Sequence, residues 1–120
     1  MTKVKASAQF EWFLEQDERF DFFNMSFDVK LAKQAIHKRP RDVQPFAIDS
    51  SVPMCERIGV SPTASLEGVD LAVPVIIATL PKGSLLPIDG WHRIAKAGRD
   101  GLTDLPCVVL TKQETARIMR

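Results

Sequence analysis

Residues 84–98 place a short apolar strand, an Asp-Gly turn and an amphipathic helix in direct succession, and this order constrains the fold more than any other segment. Ser84–Ile88 is apolar and strand-like, and apolar or small side chains then recur at three- and four-residue spacing from Trp91 to Gly98. That spacing keeps one face of a helix against a core. The sequence therefore predicts a strand-to-helix turn at Asp89-Gly90, with the helix running to about Gly98.

The first turn of this predicted helix carries the residues of an anion site. A helix N-terminus presents unpaired backbone N–H groups and about half a positive charge, so it can hold a phosphate without any side chain. Gly90 lacks the Cβ that would crowd such a ligand, while His92 and Arg93 add donors and positive charge. Positive side chains oppose the helix dipole at this end, and an anionic ligand would remove that conflict. The alternative is a tight turn with no ligand.

Two residues at this turn have several interpretations. Asp89 could cap the helix, coordinate a magnesium ion that bridges phosphates, or accept a proton from a substrate, and capping ranks first. Trp91 is most simply a core residue, with a stacking surface for a base as the lesser interpretation. Asp89 and His92 are the candidate catalytic residues, and Asp89 is the candidate magnesium ligand.

The segments around this turn predict a mixed sheet. Val73–Leu80 is a continuous β-branched run typical of a buried strand, and Ser84–Ile88 is its hairpin partner across a Pro-Lys-Gly turn. A further strand is predicted at Pro106–Leu110, after a polar turn that contains glycine. Helices on either side of these strands would complete a small α+β fold.

Two of the predicted helices begin at a capping signal. Asp28 precedes the helix predicted over Val29–Ile36. Thr111 precedes the helix predicted over Lys112–Met119, and Glu114 stands three residues after it, as in a capping box.

A basic run, His37–Arg41, follows the first of these helices. Positive side chains suit a helix C-terminus, so a solvated terminus is the plain interpretation. The alternative is a nucleic-acid contact through Lys38, Arg39 and Arg41. The net charge of +1 provides no general attraction to nucleic acid, so any such contact has to be local.

The segment Phe10–Phe27 is rich in both aromatic and acidic residues. Phe10, Phe13 and Leu14 fit one helical face, whereas Phe20 and the residues after it alternate like a strand, so a short helix followed by an extended segment is predicted. The rings are core residues or pack on a partner subunit, which makes a homodimer through this segment one hypothesis.

The middle of the chain has weaker patterns. Val43–Ile48 is a strand candidate broken by Pro45, and Pro53–Gly59 is a short helical turn closed by glycine. Ser61–Val69 has the composition of a loop.

The composition limits the classes of protein to which this chain can belong. A chain of 120 residues suits one domain, and its hydrophobic fraction of 45% includes no run near the ~20 apolar residues of a membrane span. The first ten residues lack the apolar core of a secretory signal, so a cytoplasmic protein is expected. Cys55 and Cys107 have no metal-ligand spacing, and Cys107 is predicted to be a buried thiol.

The order of elements in the C-terminal half resembles the ParB/sulfiredoxin superfamily, and the resemblance covers about residues 73–117. Its most specific parts are Asp89-Gly90-Trp91-His92-Arg93 and, after the next turn, Leu105-Pro106-Cys107-Val108-Val109. The resemblance implies that Gly90, the Trp91 backbone, His92 and Arg93 hold nucleotide phosphates at the helix N-terminus.

The sequence also departs from the two best-known branches of that superfamily. Trp91 occupies the position of the reactive cysteine of sulfiredoxins, which argues against sulfinic-acid reduction. The glycine-glutamate-arginine-arginine motif of partition ParB proteins is also missing. The resemblance therefore implies a stand-alone ParB-like domain, a group that includes small kinases, nucleases and plasmid- or phage-encoded proteins.

We accordingly expect an α+β fold with a small mixed sheet flanked by helices: a single ParB-like domain over residues 1–120, in which residues 73–117 bear the motif and residues 1–40 form a divergent N-terminal extension. The first functional hypothesis is binding of a nucleoside triphosphate, ATP or CTP, with magnesium, for hydrolysis or phosphotransfer. The second is a nuclease or DNA-binding regulator that uses the same phosphate site together with the basic run. The third is an interaction module whose motif has become structural.

Overall fold

A four-stranded mixed sheet forms the centre of the structure, a computed structural model that describes residues 19–60 and 66–120. A two-stranded hairpin and four α-helices complete the described part of the chain. The strands are β1 (Arg19–Phe22), β2 (Met25–Asp28), β3 (Gln44–Ala47), β4 (Val75–Thr79), β5 (Leu85–Asp89) and β6 (Asp104–Val109). The helices are α1 (Val29–Lys38), α2 (Cys55–Ile58, after a 3-10 turn at Val52–Met54), α3 (Trp91–Arg99) and α4 (Lys112–Ile118).

The central sheet has the strand order β3-β6-β4-β5. β4 and β6 are parallel, whereas β3 with β6 and β4 with β5 are antiparallel, so the predicted mixed sheet and the predicted hairpin are confirmed. The apolar run of β4 lies inside the sheet and is fully buried from Val75 to Ala78. Pro45 is tolerated because β3 is an edge strand, where one side of the backbone needs no ladder partner.

Both predicted capping signals are confirmed. The Leu31 amide donates to the Asp28 carboxylate at 3.0 Å, which fixes the start of α1. At α4 the Glu114 amide donates to the Thr111 hydroxyl at 3.1 Å, and the Thr111 amide donates to the Glu114 carboxylate at 2.9 Å. This reciprocal pair is a complete capping box.

The hairpin of β1 and β2 brings the acidic aromatic segment partly into the core. The predicted extended segment is a strand only as far as Phe22, because the chain turns back at Phe23 and Asn24. Phe27 and Ile36 are fully buried in the same apolar cluster as β4. The helix predicted around Phe10 lies outside the described residues.

The remaining predictions concern the end of α2, the loop after it and the absence of a membrane span. Gly59 closes α2 in the left-handed conformation, as predicted for the helical turn after Pro53. Residues 61–65 of the predicted loop Ser61–Val69 lie outside the described part, and Leu66 is buried. No helix within residues 19–60 and 66–120 has both the length and the apolar character of a membrane span.

Candidate functional site

The chain passes from β5 to α3 through a single residue, Gly90, as the sequence predicts. Gly90 has φ 107° and ψ 17°, a left-handed conformation that disfavours any side chain. A Cβ atom there would lie 2.9 Å from Cγ2 of Val75 and 3.1 Å from Nε and Nη2 of Arg93. The turn therefore needs glycine for both backbone and packing reasons, whether or not a ligand binds.

Asp89 does not cap the helix, so the first-ranked interpretation of this residue is wrong. The N-cap is Gly90, and Asp89 instead accepts a hydrogen bond from Nη2 of Arg93 at 3.1 Å. The physical reason is that β5 extends through Asp89, which puts its side chain one turn of helix from Arg93. Since a glycine N-cap has no side-chain acceptor, no side chain at the N-cap satisfies the amides of the first turn.

Arg93 is anchored beneath the turn. Its Nη1 donates to the backbone carbonyls of Val73 and Pro74, each at 2.9 Å. Together with the bond to Asp89, these contacts engage three of the five guanidinium N–H groups. A phosphate contact by Arg93 stays a prediction, and two N–H groups remain to make it.

Trp91 is a core residue, which is the interpretation that the sequence favoured. It is 4% exposed, and its indole nitrogen donates to the carbonyl of Pro87 at 2.9 Å. Phe20 of β1 stacks on the indole with ring centroids 6.0 Å apart and an angle of 18° between the planes. The Trp91 amide, rather than its ring, is the group that faces the helix N-terminus.

A cleft of about 520 Å³ opens at this turn, and we call it the Gly90 cleft. Four consecutive residues of the predicted site, Asp89, Gly90, Trp91 and His92, line it. Arg93 is not part of this lining. The other lining residues are Arg19, Phe20, Val29, Ile58, Gly59, Val60 and Ile88.

Arg19 is a cleft residue that sequence reasoning missed. It lies at the start of β1, distant in sequence from the Asp-Gly motif, and only the packing of the hairpin on α3 brings it there. It interacts electrostatically with the carboxylate of Asp28, its strand partner, so its charge is partly compensated. Arg19 therefore provides a cationic group and the exposed His92 an imidazole beside the helix N-terminus, while Arg93 offsets the charge of Asp89.

The basic run does not reach this cleft as a unit. Arg41 donates from Nη1 to the carbonyl of Val109 at 2.9 Å and from Nη2 to the Glu114 carboxylate at 2.7 Å. The structure thus gives Arg41 a structural role, and its predicted nucleic-acid contact stays a prediction. Lys38 and Arg39 are exposed at the C-terminal end of α1, about 14 Å along the helix from its first residue, which lines the cleft.

Both cysteines are buried, as predicted for Cys107. Burial raises the pKa of the Cys107 thiol to about 11, and burial also raises the pKa of Cys55. These thiols stay protonated at neutral pH, so neither has the properties of a redox nucleophile. Within residues 19–60 and 66–120, no three His, Cys, Asp or Glu side chains group as a metal site.

We compared the chain with protein-family models, with curated proteins and with solved structures, and none of the three comparisons finds a match.

Proposed function

We propose that the Gly90 cleft binds the phosphates of a nucleoside triphosphate and that this domain is of the ParB/sulfiredoxin type. The observation that carries this proposal is the start of α3: a glycine N-cap at the wall of a cleft, with Arg19 and His92 beside it. Backbone amides, a helix dipole, an arginine and a histidine that can donate a hydrogen bond are complementary to phosphate. A volume of about 520 Å³ is in the usual range of small-molecule sites.

Four lining residues, Arg19, Gly90, Trp91 and His92, and the neighbouring Arg93 have separate parts in this proposal. The amides of Trp91 and His92 donate to phosphate oxygens, the guanidinium of Arg19 neutralises charge, and the imidazole of His92 is available for a hydrogen bond or a proton. Gly90 permits the left-handed turn that starts α3 at the wall of the cleft. Arg93 is a positioning residue, because it ties the turn to the carbonyls before β4.

Magnesium fits the cleft as a companion of the nucleotide rather than as an ion held by a protein cage. Asp89 lines the cleft, but one of its oxygens already accepts from Arg93, so it offers a partly neutralised carboxylate. Magnesium usually takes one or two carboxylates and completes its shell with phosphate oxygens and water. When bound, it would offset phosphate charge.

The reaction class we propose is hydrolysis or transfer of a phosphoryl group. The residues of the cleft would supply orientation and electrostatic stabilisation, which account for most of the catalysis of phosphoryl transfer. His92 is exposed in the cleft and can accept a proton from water or from another group that receives the phosphoryl group.

Calorimetric titration of the full chain with ATP and with CTP, with and without magnesium, tests the binding. Saturable binding that weakens in Arg19→Ala and in His92→Ala is the expected result. Lys82→Ala is the matched control, because Lys82 is exposed in the β4–β5 turn, at the far end of the hairpin from Gly90. Absence of heat at millimolar nucleotide would overturn the proposal.

A second candidate, a nuclease or DNA-binding regulator, is favoured by one observation. Lys38 and Arg39 are exposed, and no carboxylate in the described part of the chain pairs with them. Binding of DNA through these residues would fall steeply with salt, because each neutralised phosphate releases counterions. Retention of DNA that does not respond to salt or to replacement of Lys38 and Arg39 would exclude this candidate.

A further inference from the structure

A second concave surface, which shares no lining residue with the Gly90 cleft, lies between α1 and α4, and we call it the α1–α4 groove. Its volume is about 200 Å³. The apolar part of its lining comes from Leu31 and Ala35 of α1 and Ile118 of α4. Leu31 is 39% exposed, one of the few large apolar side chains in the described ranges that reach solvent to this extent.

The rim of the α1–α4 groove is positively charged. Lys38, Arg39 and Arg117 line it, and none of them pairs with a carboxylate of the described residues. Glu114 is the one acidic residue of the lining, and Arg41 neutralises it through two hydrogen bonds. An apolar floor with an uncompensated basic rim is complementary to a segment that is both apolar and acidic.

The chain itself contains such a segment in residues 10–18, which lie outside the described part. Its sequence, Phe-Glu-Trp-Phe-Leu-Glu-Gln-Asp-Glu, has four carboxylates and no basic residue. Phe10, Phe13 and Leu14 have the spacing of one apolar helical face. This pattern matches the helix-in-groove mode of recognition, in which apolar anchors at such spacing enter a hydrophobic groove.

The connection from this segment to the α1–α4 groove is short. The described chain begins at Arg19, whose strand partner is Asp28, the N-cap of α1. Leu31 follows within the first turn of that helix. The five residues from Leu14 to Arg19 can span about 17 Å when extended, and the groove follows α1 for about 12 Å from Leu31 to Arg39. Residues 10–18 can therefore reach the groove of their own chain.

We propose that residues 10–18 dock in the α1–α4 groove of the same chain, with the apolar side chains on its floor and the carboxylates against its basic rim. The tether favours this occupant over a separate molecule, because a short connection gives an effective concentration in the millimolar range. The groove then serves as a docking surface for the chain's own acidic segment, independently of ligand binding at the Gly90 cleft.

Carbodiimide cross-linking of the full chain, mapped by mass spectrometry, tests this proposal. The reagent joins a lysine to a carboxylate in direct contact, so we expect links within single chains from Lys38, at the far end of α1, to Glu11 or Glu15. In Arg39→Glu/Arg117→Glu these links should fall about fivefold, the effect of removing two partly exposed ion pairs. The matched control is Arg57→Glu/Lys82→Glu, which changes the net charge equally at exposed positions that do not line the groove.

Three outcomes would overturn the proposal. The first is the absence of links between Lys38 and residues 11–18 in the wild-type chain. The second is links that join a ¹⁵N-labelled chain to an unlabelled one and increase with concentration, which would assign the groove to a second copy. The third is equal cross-linking in the groove variant and the control, together with DNA retention that only the groove variant loses, which would assign the basic rim to nucleic acid.

Discussion

Replacement of Gly90 by alanine tests the geometry of the turn quantitatively, because Gly59 provides a matched control. Gly90 has φ 107° and ψ 17°, and Gly59 has φ 95° and ψ 15°. The two backbones are nearly the same, so the cost of placing a side chain in the left-handed region, about 1–2 kcal/mol, is common to both variants. The change in unfolded-state entropy from glycine to alanine is also common to both.

The two positions differ in the space around the added methyl group. Nothing lies within 4 Å of a Cβ at Gly59, whereas a Cβ at Gly90 would lie 2.9 Å from Cγ2 of Val75. Val75 is fully buried in a central strand, and the nearby Arg93 is held by three hydrogen bonds, so neither can move away freely. Overpacking of this kind costs about 1–3 kcal/mol. Gly90→Ala should therefore destabilise the fold by about 2–5 kcal/mol and Gly59→Ala by about 1–2 kcal/mol.

Urea denaturation of both variants, followed by circular dichroism, measures the difference. With an m-value of about 1.5 kcal/mol/M, an extra 2 kcal/mol lowers the midpoint of Gly90→Ala by about 1.3 M more than that of Gly59→Ala. Equal midpoints at unchanged m-values would refute the steric argument for the turn.

The surroundings of Arg41, Arg93 and Cys107 lead to three further predictions. Hydrogen bonds from Arg41 lower the pKa of Glu114 despite its burial, so this ion pair stabilises the protein above the unfolded pKa of about 4.3 and loses its effect as pH falls through the lower folded value. Arg41→Ala should lower the free energy of unfolding, measured by urea denaturation at pH 7, by about 3 kcal/mol. The difference from wild type should shrink at acid pH, and a difference that does not change with pH would contradict its origin in the ion pair. Arg93→Ala should lower the free energy of unfolding by about 2–4 kcal/mol, because it leaves Asp89 and two carbonyls unpaired. A decrease below about 0.5 kcal/mol would show that these hydrogen bonds contribute little to stability. Cys107 should react with a thiol reagent only on unfolding, because it is buried and its pKa is about 11; rapid labelling of the native protein would be the opposite result.

The sequence predicted the elements that depend on residues close to one another in the chain. The hydrophobic run of β4, the capping residue Asp28 and the capping box of Thr111 are each encoded within a few residues, and all three are found in the structure. The turn at Gly90 was also predictable, because a strand pattern stops and a helix pattern starts on either side of it.

Contacts between distant segments could not be predicted in this way. Arg41 and Glu114 are 73 residues apart, so the basic run gave no sign that one of its members is held by the capping box. Arg93 likewise finds its partners before β4, 19 and 20 residues away. Arg19 reaches the cleft only through the packing of the hairpin, for which the sequence offers one weak signal, the aromatic Phe20 that stacks on Trp91.

The turn between β1 and β2 was missed for a different reason. Phe23 adopts φ 53° at this turn, where glycine or asparagine is the usual signal, and its ring is 85% exposed. Apolar and polar residues alternate on both sides of the turn and change phase only at Phe22-Phe23, a weak signal that the prediction of a single extended segment did not use.

The central claim, that the start of α3 is the phosphate site, is tested most directly by ¹H–¹⁵N NMR of the full chain during titration with ATP and magnesium. We expect saturable shifts that are largest at the amides of Trp91 and His92, because these amides would donate to phosphate oxygens. Shifts confined to the α1–α4 groove, or no shifts at millimolar ATP, would contradict the claim.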